Sequence, residues 1–251
     1  MRCLAVLVVL LIAPSLALAQ DDDFQISGEL KVKYFAVNDE PDILKLDYSD
    51  YNDSAEGGIS FSAHLKIVNR LEIDGTPYLW YSRENSIARL GFFGTVKYEI
   101  WEDHLKIGYG HHSWHNADID STGRKQAQDW FFAEWNFWEV NIDESSKVNF
   151  YLEPRWYFNN GEFIQAKTIY DSDDPTAFAE ASLRVAGNYH KLSWNLRPYA
   201  QFASDAYRYG VQGEISYSIT NYLAFFIDAN YYSTDVEDRM MIGIGIMFKF
   251  K

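Results

Sequence analysis

"MMIGIGIMFKF", Met240–Phe250, alternates without a break. Ile242, Ile244, Ile246, Phe248 and Phe250 fall on one face, and Gly243, Gly245, Met247 and Lys249 on the other. A period of two, apolar on one side and small or polar on the other, is the pattern of a β-strand. "YRYGVQGEISYSI", Tyr207–Ile219, repeats it, with Tyr209, Val211, Gly213, Ile215 and Tyr217 set against Gly210, Gln212, Glu214 and Ser216. Working outward from these two, twelve segments carry strand patterning: 24–37, 57–68, 76–84, 87–100, 103–115, 127–138, 147–159, 176–188, 191–204, 207–219, 222–232 and 239–250. No amphipathic helix longer than a turn or two stands among them.

The connections alternate in length. "WED" (101–103), "NYHK" (188–191) and "SITN" (218–221) are tight, whereas "NDEPDILKLDYSDYNDSAEGG", "NADIDSTGRKQAQ" and "NNGEFIQAKTIYDSDDPT" are long and acidic. The long ones follow odd-numbered strands. An even strand number with short turns at one end and long loops at the other is the layout of a bacterial outer-membrane barrel. The expected fold is therefore all-β: a transmembrane, antiparallel, up-and-down β-barrel of about twelve strands. With both ends periplasmic, the fifth strand runs toward the cell exterior.

Composition agrees. Aromatic residues make up 17% of the chain, with 18 Tyr, 17 Phe and 8 Trp. Beyond the first twenty residues no apolar run is long enough for a membrane helix. The start of the chain reads as an export signal over residues 1–19: Arg2, the apolar "LAVLVVLLIA", then "ALA" at 17–19. The barrel domain is then 20–251. The single cysteine, Cys3, leaves with the signal, so no disulfide and no thiolate site is expected. Loss of Arg2 leaves 21 basic residues against 36 acidic ones, a net charge of −15. So acidic a chain excludes nucleic acid as a partner. A soluble sandwich or lipocalin-like barrel would alternate too. Against it, the expected inner faces carry Lys31, Lys33, Glu134, Asn136, Arg184, Gln201 and Glu214, too much charge for a dry core. Tyr78, Trp80, Trp101, Trp135, Trp138 and Trp156 read as interfacial aromatics.

One strand breaks the pattern. In "KIGYGHHSWHN", Lys106–Asn116, the lipid-facing row Leu105, Ile107, Tyr109 continues into His111 and Ser113, then His115. Polar side chains belong in a lumen; on the lipid side they are costly and often functional. Residues i and i+2 of a strand lie about 7 Å apart on one face, a gap an imidazole can span to a serine hydroxyl. Such a pair is a nucleophile with its general base, and it needs an acceptor to orient the imidazole. The next strand supplies Asp129 at the outward end of the row Phe131, Ala133, Trp135, Phe137. Three polar groups converging at lipid depth suit a hydrolase whose substrate is the lipid itself. His112 falls on the opposite, lumenal face.

These residues resemble a known family. "IGYGHHSWHN", a loop and "DWFFAEW" look like the active-site region of outer membrane phospholipase A, a twelve-stranded barrel with a Gly-Tyr-x-His-x-Ser-Asn-Gly motif on one strand and a triad Asn on the next. "YGVQGEISYSITNYLAFFIDANYYS" and "DRMMIGIGIMF" are similar to its C-terminal part, and the resemblance covers about residues 85–250. It implies Ser113 as nucleophile, His111 as base and Asp129 at the Asn position. Trp114-His115 stands where the family has Asn-Gly; the backbone N–H of His115 can still serve as an oxyanion donor. The family's loops bind calcium and couple it to dimerisation. Here Asp118, Asp120 and Ser121 offer oxygen ligands of the kind calcium takes. The resemblance thus implies phospholipid as substrate, calcium assistance and a homodimer, the last also because one barrel wall is expected to be too shallow to hold an acyl chain; the acidic loops themselves read as solvated surface bridged by divalent ions to a lipopolysaccharide environment. Two alternatives stay open: a lipid A deacylase using the same His-x-Ser logic, and a non-catalytic barrel, either a porin or a degenerate homologue.

Overall fold

The computed structural model describes residues 24–38, 56–67, 70–81, 89–116, 126–159, 179–202, 207–233 and 238–250. The segment expected to be an export signal lies outside them. The described residues form twelve strands: β1 (Phe24–Asn38), β2 (Gly57–Ile67), β3 (Leu71–Tyr81), β4 (Arg89–Trp101), β5 (Leu105–Asn116), β6 (Gln126–Asp143), β7 (Ser146–Asn159), β8 (Ala179–Tyr189), β9 (Leu192–Phe202), β10 (Tyr207–Ser218), β11 (Leu223–Ser233) and β12 (Asp238–Phe250). Each pairs antiparallel with its neighbours in sequence, and β1 pairs with β12 to close the barrel, Gly28 opposite Phe250 and Val32 opposite Ile246. Closure removes every sheet edge, the condition for strands to cross hydrocarbon.

The alternation sorts the faces. Ile244, Ile246 and Phe248 of β12 are exposed on the outer wall, while Met247 is buried inside. Inside, the polar residues read as lumenal meet one another. Lys31 bridges Glu29 at 2.7 Å and Glu214 at 2.6 Å, and Lys33 pairs with Asp228. Lys106 grips both oxygens of Glu72, at 2.8 and 3.0 Å. Arg184 holds Glu134 at 2.8 Å and also Glu153, and Arg197 reaches Glu153 and Glu180. Toward the end where β5 leads into residues 117–125, rings pack in a chain: Phe35 on Trp80, Trp80 on Tyr78, and Phe93 on Trp130 on Tyr157. Trp130, Tyr157, Glu180 and Glu153 are all buried, so side chains fill the lumen they line.

Three expectations need correction. Tyr78 and Trp80 lie among the lumenal rings, not at the membrane interface: they share a face with Glu72 and Asp74, and Tyr81 is the exposed one. β3 starts at Leu71, five residues before the expected 76, because the polar side of "EIDGTP" meets lumenal partners; its Asp74 accepts from Thr95 at 2.7 Å. β6 runs on to Asp143, past the expected 138. Irregularities between Asn136 and Trp138 and between Asn141 and Asp143 shift its register. Phe137 and Trp138 consequently both face outward, which breaks the period of two.

Candidate active site on the outer wall

β5 and β6 place the candidate residues by register. His111 lies opposite Asp129, Tyr109 opposite Phe131, and Ser113 opposite Ala127. Ile107, Tyr109 and Phe131 are exposed apolar side chains of the outer wall; His111, Ser113 and Asp129 continue those two rows. The alternate positions of β5 are glycines for a reason of space. A Cβ at Gly110 would lie 2.2 Å from the Trp130 ring, and one at Gly108 would lie 2.5 Å from Phe132. The bare lumenal side of "IGYG" lets these rings close against β5 and fixes where Asp129, next to Trp130, emerges on the other side.

The imidazole Nδ1 of His111 and the Asp129 Oδ1 are 2.8 Å apart. The Tyr109 hydroxyl donates to the same Oδ1. Asp129 is nevertheless only 7% exposed, which is unusual for a carboxylate on a lipid-facing wall. An aromatic cluster stands along the same outer rows: Phe131 stacks on Phe158 with ring centres 4.7 Å apart, and Tyr109 lies 6.2 Å from each. On the other side of His111 the β4 partner is Gly94, and the Phe92 ring leans over that glycine, 2.8 Å from where a Cβ would stand. Ser113 is two residues further out, half-buried, opposite Phe92 of β4. Among the described residues no hydrogen bond joins Ser113 to His111. Catalytic contacts of this kind are commonly long before substrate arrives.

The remaining expected residues fall as follows. β5 pairs with β6 only to Trp114, whereas its pairing with β4 continues through His115 to Asn116; the backbone at His115 thus lies one residue past the end of the β5–β6 ladder. Asp118, Asp120 and Ser121 lie outside the described residues. Among the described residues no three His, Cys, Asp or Glu side chains gather closely enough to hold a metal ion. His112 points into the lumen, its Nε2 2.9 Å from the Tyr78 hydroxyl.

Sequence reasoning missed two features. One is the Tyr109 hydroxyl bond; Tyr109 stands one strand step before His111 on the same face, the only signal available. The other is a second His–Asp pair, His64 Nδ1 to Asp74 Oδ1 at 2.7 Å, inside the barrel. There Lys97 also approaches Asp74, at 3.2 Å, so that pair belongs to the lumenal charge lattice.

The wall beside the candidate site is not flat. A groove of about 860 Å³ opens on it. One row of small residues forms its floor: Ala133 of β6, Pro154 of β7 and Ala181 of β8. Tyr109, Phe131, Trp156 and Phe202 stand along one side. A second hollow, about 310 Å³, shares Ala133 and Pro154 and continues to Trp101, Leu105 and Trp135. Tyr109 and Phe131 belong both to the groove and to the surroundings of Asp129.

No protein-family model matches the sequence, and no curated protein matches it. Among solved structures, the chain is similar to outer membrane phospholipase A from Escherichia coli, at 12% identity and a TM-score of 0.54, covering 94% of this chain and 96% of that one. It is similar to the Salmonella typhi outer membrane phospholipase dimer with bound calcium, at 11% identity and a TM-score of 0.52, covering 88% and 90%. It is also similar to the KdgM porin, at 7% identity and a TM-score of 0.50, covering 90% and 99%. Enzymes and a porin thus share this fold, which is that of outer-membrane barrels, and at these identities the likeness speaks for the fold alone.

Proposed function

We propose that this protein is an outer-membrane phospholipase that hydrolyses glycerophospholipid acyl esters with Ser113, His111 and Asp129. The observation that carries the reading is the His111–Asp129 hydrogen bond on the lipid-facing wall, with Ser113 on the same face two residues away. A barrel that only spans a membrane gains nothing from a buried acid there, because an unpaired carboxylate in hydrocarbon is costly.

In this mechanism the Ser113 Oγ attacks the ester carbonyl as His111 Nε2 takes its proton. His111 Nδ1–H donates to Asp129, which holds the ring in the tautomer that leaves Nε2 able to accept. The proton then passes from His111 to the departing lysophospholipid oxygen. Water, activated by the same imidazole, releases the fatty acid from Ser113. The backbone N–H at His115 is the oxyanion donor in this reading. The outer leaflet is where the site meets substrate, since β5 ends there if both termini are periplasmic. The groove that begins at Tyr109 and Phe131 gives an acyl chain an apolar seat on a single wall.

Calcium assistance, through Asp118, Asp120 and Ser121, belongs to the proposal by resemblance, and the calcium in the Salmonella typhi relative supports it. No described residues form its ligand set, so no step is routed through the ion. A homodimer, as in that relative, also remains part of the proposal. The porin reading is disfavoured by the lumen, where Glu153, Glu180 and Arg197 are buried in mutual ion pairs.

The test is fatty-acid release by refolded protein in detergent micelles containing phospholipid, with calcium and then with chelator, alongside Ser113→Ala. Activity that requires Ser113 and calcium supports the whole scheme. Activity that requires Ser113 alone keeps the three residues and discards the metal. Turnover of lipid A in place of phospholipid would reassign the substrate. No release from either lipid by folded protein sinks the hydrolase.

A further inference from the structure

We infer that Tyr109 is a positioning residue of this site: its hydroxyl solvates the Asp129 carboxylate and so makes a charged third member tolerable on a lipid-facing wall. The inference rests on the hydrolase reading for its kinetic test, but not for its structural one.

A neutral amide at position 129 would cost far less in hydrocarbon than a charge. A carboxylate needs help there, since an ion removed from water must recover its hydration from fixed dipoles. Asp129 is buried next to a cluster of three rings, Tyr109, Phe131 and Phe158, with no charge to offer. Of these, only tyrosine has a polar atom, and that atom is spent on Asp129: the Tyr109 hydroxyl and the His111 Nδ1 meet on one carboxylate oxygen, Oδ1. The arrangement is local to β5. Tyr109 and His111 are successive outward residues of one strand, and Asp129 is the cross-strand partner of His111, so the hydroxyl reaches diagonally, as cross-strand neighbours can. Two donors on one oxygen hold the carboxylate in one rotamer, with that oxygen under the imidazole. Loss of the hydroxyl would remove one donor from that oxygen, loosen its alignment with the imidazole and raise the cost of its charge. The effect on chemistry should be indirect. Tyr109 touches Asp129, which touches His111, and only His111 exchanges a proton with substrate.

The experiment compares Tyr109→Phe in two backgrounds, wild type and Asp129→Asn. The phenylalanine keeps the ring in the groove and the contacts to Phe131 and Phe158. In the wild-type background kcat is expected to fall about ten- to hundredfold, the range for a hydrogen bond to a charged group, with KM for phospholipid changed less than about twofold. With Asp129→Asn the same substitution is expected to change kcat less than about threefold, because a hydrogen bond to a neutral amide contributes less than one to a charge. Equal losses in both backgrounds, or no loss in either, would overturn the inference; a loss confined to KM would overturn it too, by making the Tyr109 hydroxyl, and not only its ring, a substrate contact. Should the wild type release no fatty acid, the hydrolase reading has failed and the bond is read directly. Refolded protein labelled with 15N-histidine gives the His111 Nδ1 signal, assigned by its absence in His111→Gln. Tyr109→Phe is expected to shift that signal in the wild-type background and not in Asp129→Asn. An unmoved signal overturns the inference without reference to activity.

Discussion

Position 129 concentrates the chemistry of the site into one atom. The Oδ1 of Asp129 receives both the imidazole and the phenol, and nothing in a structural barrel requires that convergence. If Asp129 fixes the tautomer of His111, removing either residue should cost nearly as much as removing both. His111→Ala is expected to lower kcat for phospholipid by about 10²–10⁴-fold, the usual range for a lost general base. Asp129→Ala should fall within the same range, and the double variant should be scarcely worse, because residues acting as a unit are not additive. Rates that multiply in the double variant would show two independent contributions and no relay. Stability serves as the control: neither substitution should abolish the heat-modifiable gel shift of a folded barrel.

At the scale of strands, β5 and β6 were legible where they are regular and opaque where they are not. The row Leu105–Ile107–Tyr109–His111–Ser113 could be assigned to one face by counting, and the register that sets His111 against Asp129 follows from that parity plus a loop. The tail of β6 could not be counted, because the irregularity at Asn136–Trp138 places two successive aromatics outside. β3 was misplaced for a related reason. "DGTP" has the composition of a turn, and only its lumenal partners, His64, Thr95 and Lys97, make it a strand. The groove was equally illegible, since Ala133, Pro154 and Ala181 are small residues 21 and 27 positions apart that become neighbours only through pairing. Where a shallow wall was expected, these three residues give it a groove of about 860 Å³. Because they form a floor, filling it should affect long chains alone. Ala133→Trp is expected to reduce release from a sixteen-carbon phospholipid at least about tenfold while sparing a short-chain ester within about threefold, measured side by side in micelles. Equal loss on both substrates would mean damage to the site, and no loss on either would mean that the groove does not seat the acyl chain.

The whole barrel divides its labour between two surfaces that share a backbone. The outer wall carries the candidate site, while the lumen carries a lattice of buried charge that a dry core could not tolerate unpaired. Glu180 shows the density of that lattice. It is 3% exposed, accepts from the Tyr157 hydroxyl at 3.0 Å and from Gln201 at 2.6 Å, and pairs with Arg197. Glu180→Ala would take one buried acceptor from Arg197, which keeps Glu153 and Gln212, and from Tyr157 and Gln201, a loss of about 1–3 kcal/mol, read as a lower midpoint in guanidinium unfolding of the refolded barrel. The same lattice bears on conduction. Tyr157 and Trp130, both buried, connect it to the rings of the outer half, so that no water-filled path of porin width is expected between Lys106–Glu72 at one end and Tyr78–His112 at the other. In planar bilayers the wild type should show no steady ohmic conductance, whereas Glu180→Ala, with its lattice opened, should show intermittent steps. A steady conductance from the wild type would mean that the ion pairs line a channel instead of filling it, and would restore the porin alternative. Closed wild-type membranes with an open Glu180→Ala would mean that the ion pairs plug the lumen, and would remove the porin alternative.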